Sequence, residues 1–111
     1  ILDSKYLKEL FGPGSRSEVP MVGQVGGFSL SGQVDRMVVS DNEVLIIDYK
    51  TNRPPPRGVE NIPRIYVKQM AAYRAVIKEI YPEHNVKTYL LWTDVTRLME
   101  IPEEMLNKIQ F

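Results

Sequence analysis

The sequence predicts a single α/β domain in the order α-β-β-β-α-β, followed by one more short strand and a closing helix. Three observations carry that prediction. The 111 residues are one domain's worth of chain. Two runs rich in β-branched and apolar residues, Phe28 to Val39 and Val44 to Lys50, flank the turn-forming Ser40-Asp41-Asn42-Glu43. A proline-broken loop then gives way to a stretch containing Ala71, Ala72 and Ala75, which favour helix, and a further β-rich run follows it.

Taken in order, Ile1 to Phe11 reads as a short helix, with Leu2, Tyr6 and Leu10 at helical spacing and Gly12-Pro13-Gly14 as its stop. Glu18 to Gly23 reads as a strand leading into the Gly26-Gly27 turn, and the two β runs follow. Thr51 to Asn61 is irregular, because no strand or helix interior accepts Pro54-Pro55-Pro56. Pro63 suits the first turn of a helix that runs to about Tyr81, where Pro82 stops it. Val86 to Thr93 alternates and predicts a strand, with Trp92 in its core-facing series. Arg97 to Ile101 predicts a shorter strand, and Pro102-Glu103-Glu104 opens a last helix with acids at its N-terminus.

Composition excludes several classes. Hydrophobic residues at 43% and charged residues at 25% are ordinary globular usage, not disorder. No apolar run approaches the ~20 residues that span a bilayer. With no cysteine there is no disulfide framework, thiolate zinc site or cysteine-ligated cluster. The chain opens on Ile1 and carries no targeting pattern, so it reads as an excised piece of a longer protein. A net charge of zero hides a +5 window from Lys50 to Arg74, balanced by −5 elsewhere. Such a window is either a solvated face or an attractor of polyanions.

The chemistry lies in the hairpin. If Asp41-Asn42 is its turn, Val39 faces Val44, Met37 faces Ile46, Asp35 faces Asp48 and Gln33 faces Lys50, all on one sheet face. Two carboxylates with Cβ atoms ~5 Å apart repel each other. Three arrangements relieve this: one acid is protonated, a lysine or arginine inserts, or a divalent cation bridges the pair. Lys50 projects on the same side as both acids. A surface hairpin with solvated charges is the plainer alternative, but Leu45-Ile46-Ile47 is apolar on both faces and belongs to an interior strand.

Gly32-Gln33-Val34-Asp35-Arg36, Ile46-Ile47-Asp48-Tyr49-Lys50-Thr51, and Tyr66-Val67-Lys68-Gln69 with Tyr73 together resemble the RecB-like branch of the PD-(D/E)XK nucleases. The nearest likeness is to the C-terminal nuclease domain of AddA-type helicase–nucleases, from about Glu18 to Ile101. The resemblance implies a restriction-endonuclease-like core with a mixed central sheet flanked by helices. It implies Asp35 and Asp48 as Mg²⁺ ligands (Mn²⁺ substituting), the Tyr49 carbonyl as a further ligand, and Lys50 as the catalytic lysine. Gln69 and Tyr73, four residues apart on one helix face, match the family's helical motif.

It also implies DNA as substrate, ATP only in an absent helicase portion, a partner of the AddB type, a cytoplasmic setting and no membrane. The family's usual upstream histidine or acid has no counterpart here: the one histidine, His84, falls in the turn after the helix and reads as solvated. The absence of cysteine leaves out the iron–sulfur subclass. Glu18 stands where relatives carry an acid before proline; it contacts metal or water, or pairs with Arg16 or Arg36. Arg36 points to the opposite face and predicts a structural salt bridge. Arg53, Arg57, Arg64 and Lys68 are candidates for sequence-independent DNA phosphate contacts. Two rivals stand beside this reading: a stand-alone RecB-like exonuclease, and a nuclease-like module turned to DNA binding or subunit docking.

Overall fold

The computed structural model describes residues 14–52 and 54–111, with the backbone alone at Phe28. The helix expected over Ile1 to Phe11 lies outside the described residues, as does Arg53. Strands β1 (Ser15–Val25) and β2 (Phe28–Val39) form a long antiparallel hairpin, with Val25 opposite Phe28 and Ser15 opposite Val38. Gly26 and Gly27, at φ of +55° and +86°, make the two-residue turn whose twist suits a hairpin. That closure extends β1 beyond the Glu18 to Gly23 expected, because the hairpin offers it a partner at every step from Ser15 to Val25 except Glu18.

Strand β3 (Glu43–Lys50) returns antiparallel with the expected register, Val39 opposite Val44 and Met37 opposite Ile46, and Ser40 N donates to Glu43 O at 2.9 Å across the Asp41-Asn42 tip. From β3 the chain passes through the proline loop and a 3-10 turn (Val59–Asn61) into α1 (Arg64–Ile80), which starts directly after Pro63. Helix α1 ends one residue before the expected Tyr81, whose N–H caps Ile77 O at 2.8 Å.

Strand β4 (Asn85–Trp92) lies parallel to β3, as a crossover through a helix requires. Strand β5 (Arg97–Ile101) pairs back on β4, and α2 (Glu103–Asn107) follows. The sheet order is β1-β2-β3-β4-β5, so the expected mixed α/β architecture is what forms.

The principal core joins one sheet face to the helices. Val34, Met37, Val44, Ile46, Leu90 and Trp92 meet Val67, Met70, Ala71, Tyr73, Val76 and Ile77 of α1, with Leu106 of α2. Trp92 is fully buried there, as its place in the alternating series predicts. Leu45, Ile47 and Tyr89 form a second buried cluster on the opposite face, so β3 is interior on both sides.

One irregularity positions the site. Val34 and Met37 share the same core cluster although they stand three positions apart, an odd step, so the in–out alternation of β2 breaks between them. Asp35 sits in that break and is missing from both of its strand registers. Opposite it on β1, Glu18 takes φ +53°, a conformation unusual for a non-glycine residue. The two strands turn over together at this point, and β2 parts from β3 beyond Arg36 and Ile47.

Candidate active site

The parting of β2 and β3 is filled by a side chain. Tyr49 N, which the continuing ladder would aim at Val34, donates instead to Asp35 Oδ2 at 2.7 Å. An extended residue points its N–H and C=O to the same edge, so the Tyr49 carbonyl also faces this gap. Asp35 and Asp48 do meet, as the hairpin register predicts, but through strand splaying rather than as ladder partners. The expected Gln33–Lys50 pairing is absent for the same reason: the alternation breaks first, leaving Gln33 exposed and Gly32 beneath the helix.

Asp48 is 7% exposed at the end of the interior strand. Burial, and then the Asp35 carboxyl in hydrogen-bonding contact with it, push its pKa above the usual carboxylate value of 3.8, while Lys50 pulls it down. Lys50 Nζ stands 2.5 Å from Asp48 Oδ2 as an ion pair, yet that oxygen is buried with no directed hydrogen bond. The ammonium is close but badly aimed for a lone pair. It donates to Gln69 Oε1 at 3.1 Å, Gln69 Nε2 to the Tyr73 hydroxyl at 3.4 Å, and the hydroxyl to Gln33 O at 3.5 Å. Burial, with Asp48 and Asp35 nearby and Gln69 opposing, raises the Tyr73 pKa and keeps it a neutral phenol.

Gly32 makes this chain possible. A Cβ there would lie 2.7 Å from the Tyr73 hydroxyl, with the ring carbons at 3.5 Å. Gly32→Ala is therefore expected to destabilise the domain by about 1–3 kcal/mol through overpacking. Combining it with Tyr73→Phe should recover most of that loss, because ordinary ring contacts remain. Thermal melts of the three variants test the point: a double variant no better than Gly32→Ala would place the conflict in the backbone instead.

The remaining candidates lie at varied distances from this centre. Glu18 is exposed on β1, and among the described residues no group of three or more His, Asp or Glu side chains converges. Lys68 lines a groove with Gln69 and Tyr73, whereas Arg64 borders a separate cleft with Met105 and Ile109. Arg57 is exposed, and its carbonyl accepts from Arg97 Nη2 at 3.0 Å, which straps the proline loop to β5. Arg36 lies on the opposite face as expected, donating to the Tyr49 hydroxyl at 3.2 Å and to Ser15 Oγ at 3.4 Å. His84 is half-buried rather than solvated, its Nε2 3.0 Å from Ser40 O, because the turn after α1 rests on the hairpin tip.

Sequence reasoning assigned nothing to Tyr66, whose ring lies 4.1 Å from Lys50 Nζ. The signal was present, since Tyr66, Gln69 and Tyr73 fall at i, i+3 and i+7 and so form one stripe of α1.

Comparisons with known proteins bear on the family and the fold. A family model for the PD-(D/E)XK nuclease superfamily matches residues 5–106. The chain belongs to that superfamily. Among curated relatives of this nuclease domain, it is 28% identical over 82 residues to the CRISPR-associated exonuclease Cas4 of Francisella tularensis subsp. novicida, covering 74% of this chain and 39% of that protein. It is 29% identical over 77 residues to an ATP-dependent helicase/nuclease subunit of Oceanobacillus iheyensis, covering 66% of this chain and 6% of that one. The chain thus spans well under half the length of either relative.

The crystal structure of SSO0001 superimposes with a TM-score of 0.52 at 20% identity, over 93% of this chain and 50% of that one. It supports the fold, a mixed-sheet α/β architecture consistent with a restriction-endonuclease-like core. Among the described residues no helix is long and apolar enough to cross a membrane.

PD-(D/E)XK nucleases usually use divalent metal ions, and the residues of this domain fit one. Asp48 Oδ2 is a buried anionic oxygen lacking a directed donor, and the adjacent Asp35 carboxyl is held close at an electrostatic cost. With the Tyr49 carbonyl these are all oxygen donors, the set a hard divalent cation prefers.

Proposed function

We propose that this chain is the nuclease domain of an AddA-like ATP-dependent helicase–nuclease that hydrolyses DNA phosphodiester bonds during recombinational repair of double-strand breaks. One observation carries the reading: Asp35, Asp48 and Lys50 converge where β2 and β3 part, with Gln69 and Tyr73 bracing the lysine. The likeness to the helicase/nuclease of Oceanobacillus iheyensis supports the finer assignment. ATP would serve a helicase portion of the parent protein, an AddB-type subunit would be its partner, and the setting would be cytoplasmic.

Asp35, Asp48 and the Tyr49 carbonyl would hold Mg²⁺, with Mn²⁺ able to substitute. When bound, the ion supplies Lewis-acid polarisation of the scissile phosphate and a more acidic water. The chain's own residues do the rest. The Lys50 ammonium has three donors. The donor left without a directed hydrogen bond beside Asp48 is the one that a phosphate oxygen or the attacking water takes up as negative charge develops. Gln69 holds the second donor and so fixes the direction of the first. Tyr73, neutral and anchored on Gln33 O, keeps the Gln69 amide oriented with its oxygen towards the lysine. Lys68, Arg53, Arg57 and Arg64 would add salt-sensitive phosphate contacts without reading bases.

The test is Mg²⁺-dependent cleavage of end-labelled single-stranded DNA by the purified chain, beside Asp48→Ala and Lys50→Ala. Each variant should lose about 10²-fold or more in rate. Cleavage persisting in both would sink the reading. A wild-type chain that binds Mg²⁺ through Asp48 yet cleaves nothing would favour a docking or DNA-binding module.

A further inference from the structure

The lysine's third contact is with an aromatic face. Tyr66, in the first turn of α1, places its ring centroid 4.1 Å from Lys50 Nζ. The ring is itself fixed on two sides. Its hydroxyl donates to Asn52 Oδ1 at 2.8 Å, and the ring packs at a tilt of 48° against fully buried Trp92, with centroids 6.2 Å apart. Asn52 lies two residues beyond Lys50, so one hydrogen bond ties the end of the active strand to the helix above it.

We infer that Tyr66 is a positioning residue for the nuclease reaction: its ring and Gln69 together hold the Lys50 ammonium over the site independently of Asp48. This rests on the nuclease reading of the same site. The physical need is plain. Lysine is a point charge on a flexible stem, and an ion pair with Asp48 gives it attraction without direction. A divalent cation engaging Asp48 would weaken that attraction. An electron-rich face and a neutral amide oxygen are not competed away by a cation on the carboxylates, so the ammonium stays where a phosphate needs it.

The test compares Tyr66→Phe with Tyr66→Leu. Phe keeps the ring and gives up only the Asn52 bond; Leu removes the π face. The Leu variant should lose about tenfold in kcat with KM and Mg²⁺ affinity unchanged, and the Phe variant should stay within about twofold of wild type. A second readout is independent of cleavage: the Lys50 ε-methylene protons should show an upfield ring-current shift by NMR in wild type and Tyr66→Phe. That shift should survive added Mg²⁺ and vanish in Tyr66→Leu.

Wild-type kcat in Tyr66→Leu, an equal fall in both variants, or no ring-current shift in the wild type would each overturn the inference. A wild-type chain inert towards DNA would instead overturn the nuclease reading, and the NMR shift would still decide whether the ring holds the lysine.

Discussion

Asp35→Asn should raise the melting temperature of the metal-free domain at neutral pH and abolish its response to Mg²⁺. The asparagine is isosteric. Its amide oxygen can still accept the Tyr49 N–H that Asp35 Oδ2 accepts at 2.7 Å, and its NH₂ can donate to Asp48, turning a repulsive contact into a hydrogen bond. Relief of this order is worth about 1–2 kcal/mol. That corresponds to roughly 4–8 °C per kcal/mol for a small domain.

The pH dependence follows from the direction of the Asp48 shift. Because its native pKa lies above the value of 3.8 it has when unperturbed, the native state binds more protons than the unfolded chain between those two values. The stability linked to protonated Asp48 is therefore whole below that range and is lost as pH rises through the native pKa. Asp35→Asn removes two of the causes that raise the pKa, so its gain should be largest above the native value and nearly absent near pH 3. Thermal melts at both pH values, with and without Mg²⁺, check this. The wild type should be stabilised by Mg²⁺ through mass action and the variant should not. An equal gain at both pH values would show that the carboxylate contact is not its source.

Much of this arrangement was legible in the sequence because it depends on local rules. Turn chemistry at Asp41-Asn42 sets the β2–β3 register, and a two-residue side-chain period then carries Asp48 and Lys50 to the face that α1 covers. A four-residue helical spacing does the same for Gln69 and Tyr73. What was not legible depends on exceptions to those rules. No glycine announces the turnover of β1 at Glu18, whose φ of +53° is set by its surroundings rather than its residue type. Asp35 consequently reads as an ordinary ladder position, when its role comes from leaving the ladder. Gly32 stands within the recognised motif, but the reason for a glycine there shows only when the Tyr73 hydroxyl is found 2.7 Å from its missing Cβ. Tyr66 lay within a recognised motif, but its contact with Lys50 joins the end of β3 to the start of α1, a pairing that neither period encodes.

Lys50→Met separates building the site from using it. Methionine fills a similar length of stem and keeps an apolar contact with the Tyr66 ring, but it offers no charge and no donor. Cleavage of DNA at saturating Mg²⁺ should fall about 10²–10³-fold, the usual loss when a donor aimed at developing charge is removed. Mg²⁺ affinity should hold or increase, because the cation now standing 2.5 Å from Asp48 Oδ2 no longer repels a second one. The metal-free protein should move the other way. Without Lys50 to lower it, the Asp48 pKa rises further, the carboxyl pair retains a proton to higher pH, and stability at neutral pH drops until Mg²⁺ restores it. Single-turnover cleavage and calorimetric Mg²⁺ titration of one preparation give both quantities. Opposite movement of rate and affinity would mean that Lys50 acts on the substrate. A parallel collapse of both would mean that the lysine holds the carboxylates in place, and the mechanistic role assigned to its ammonium would have to be given up.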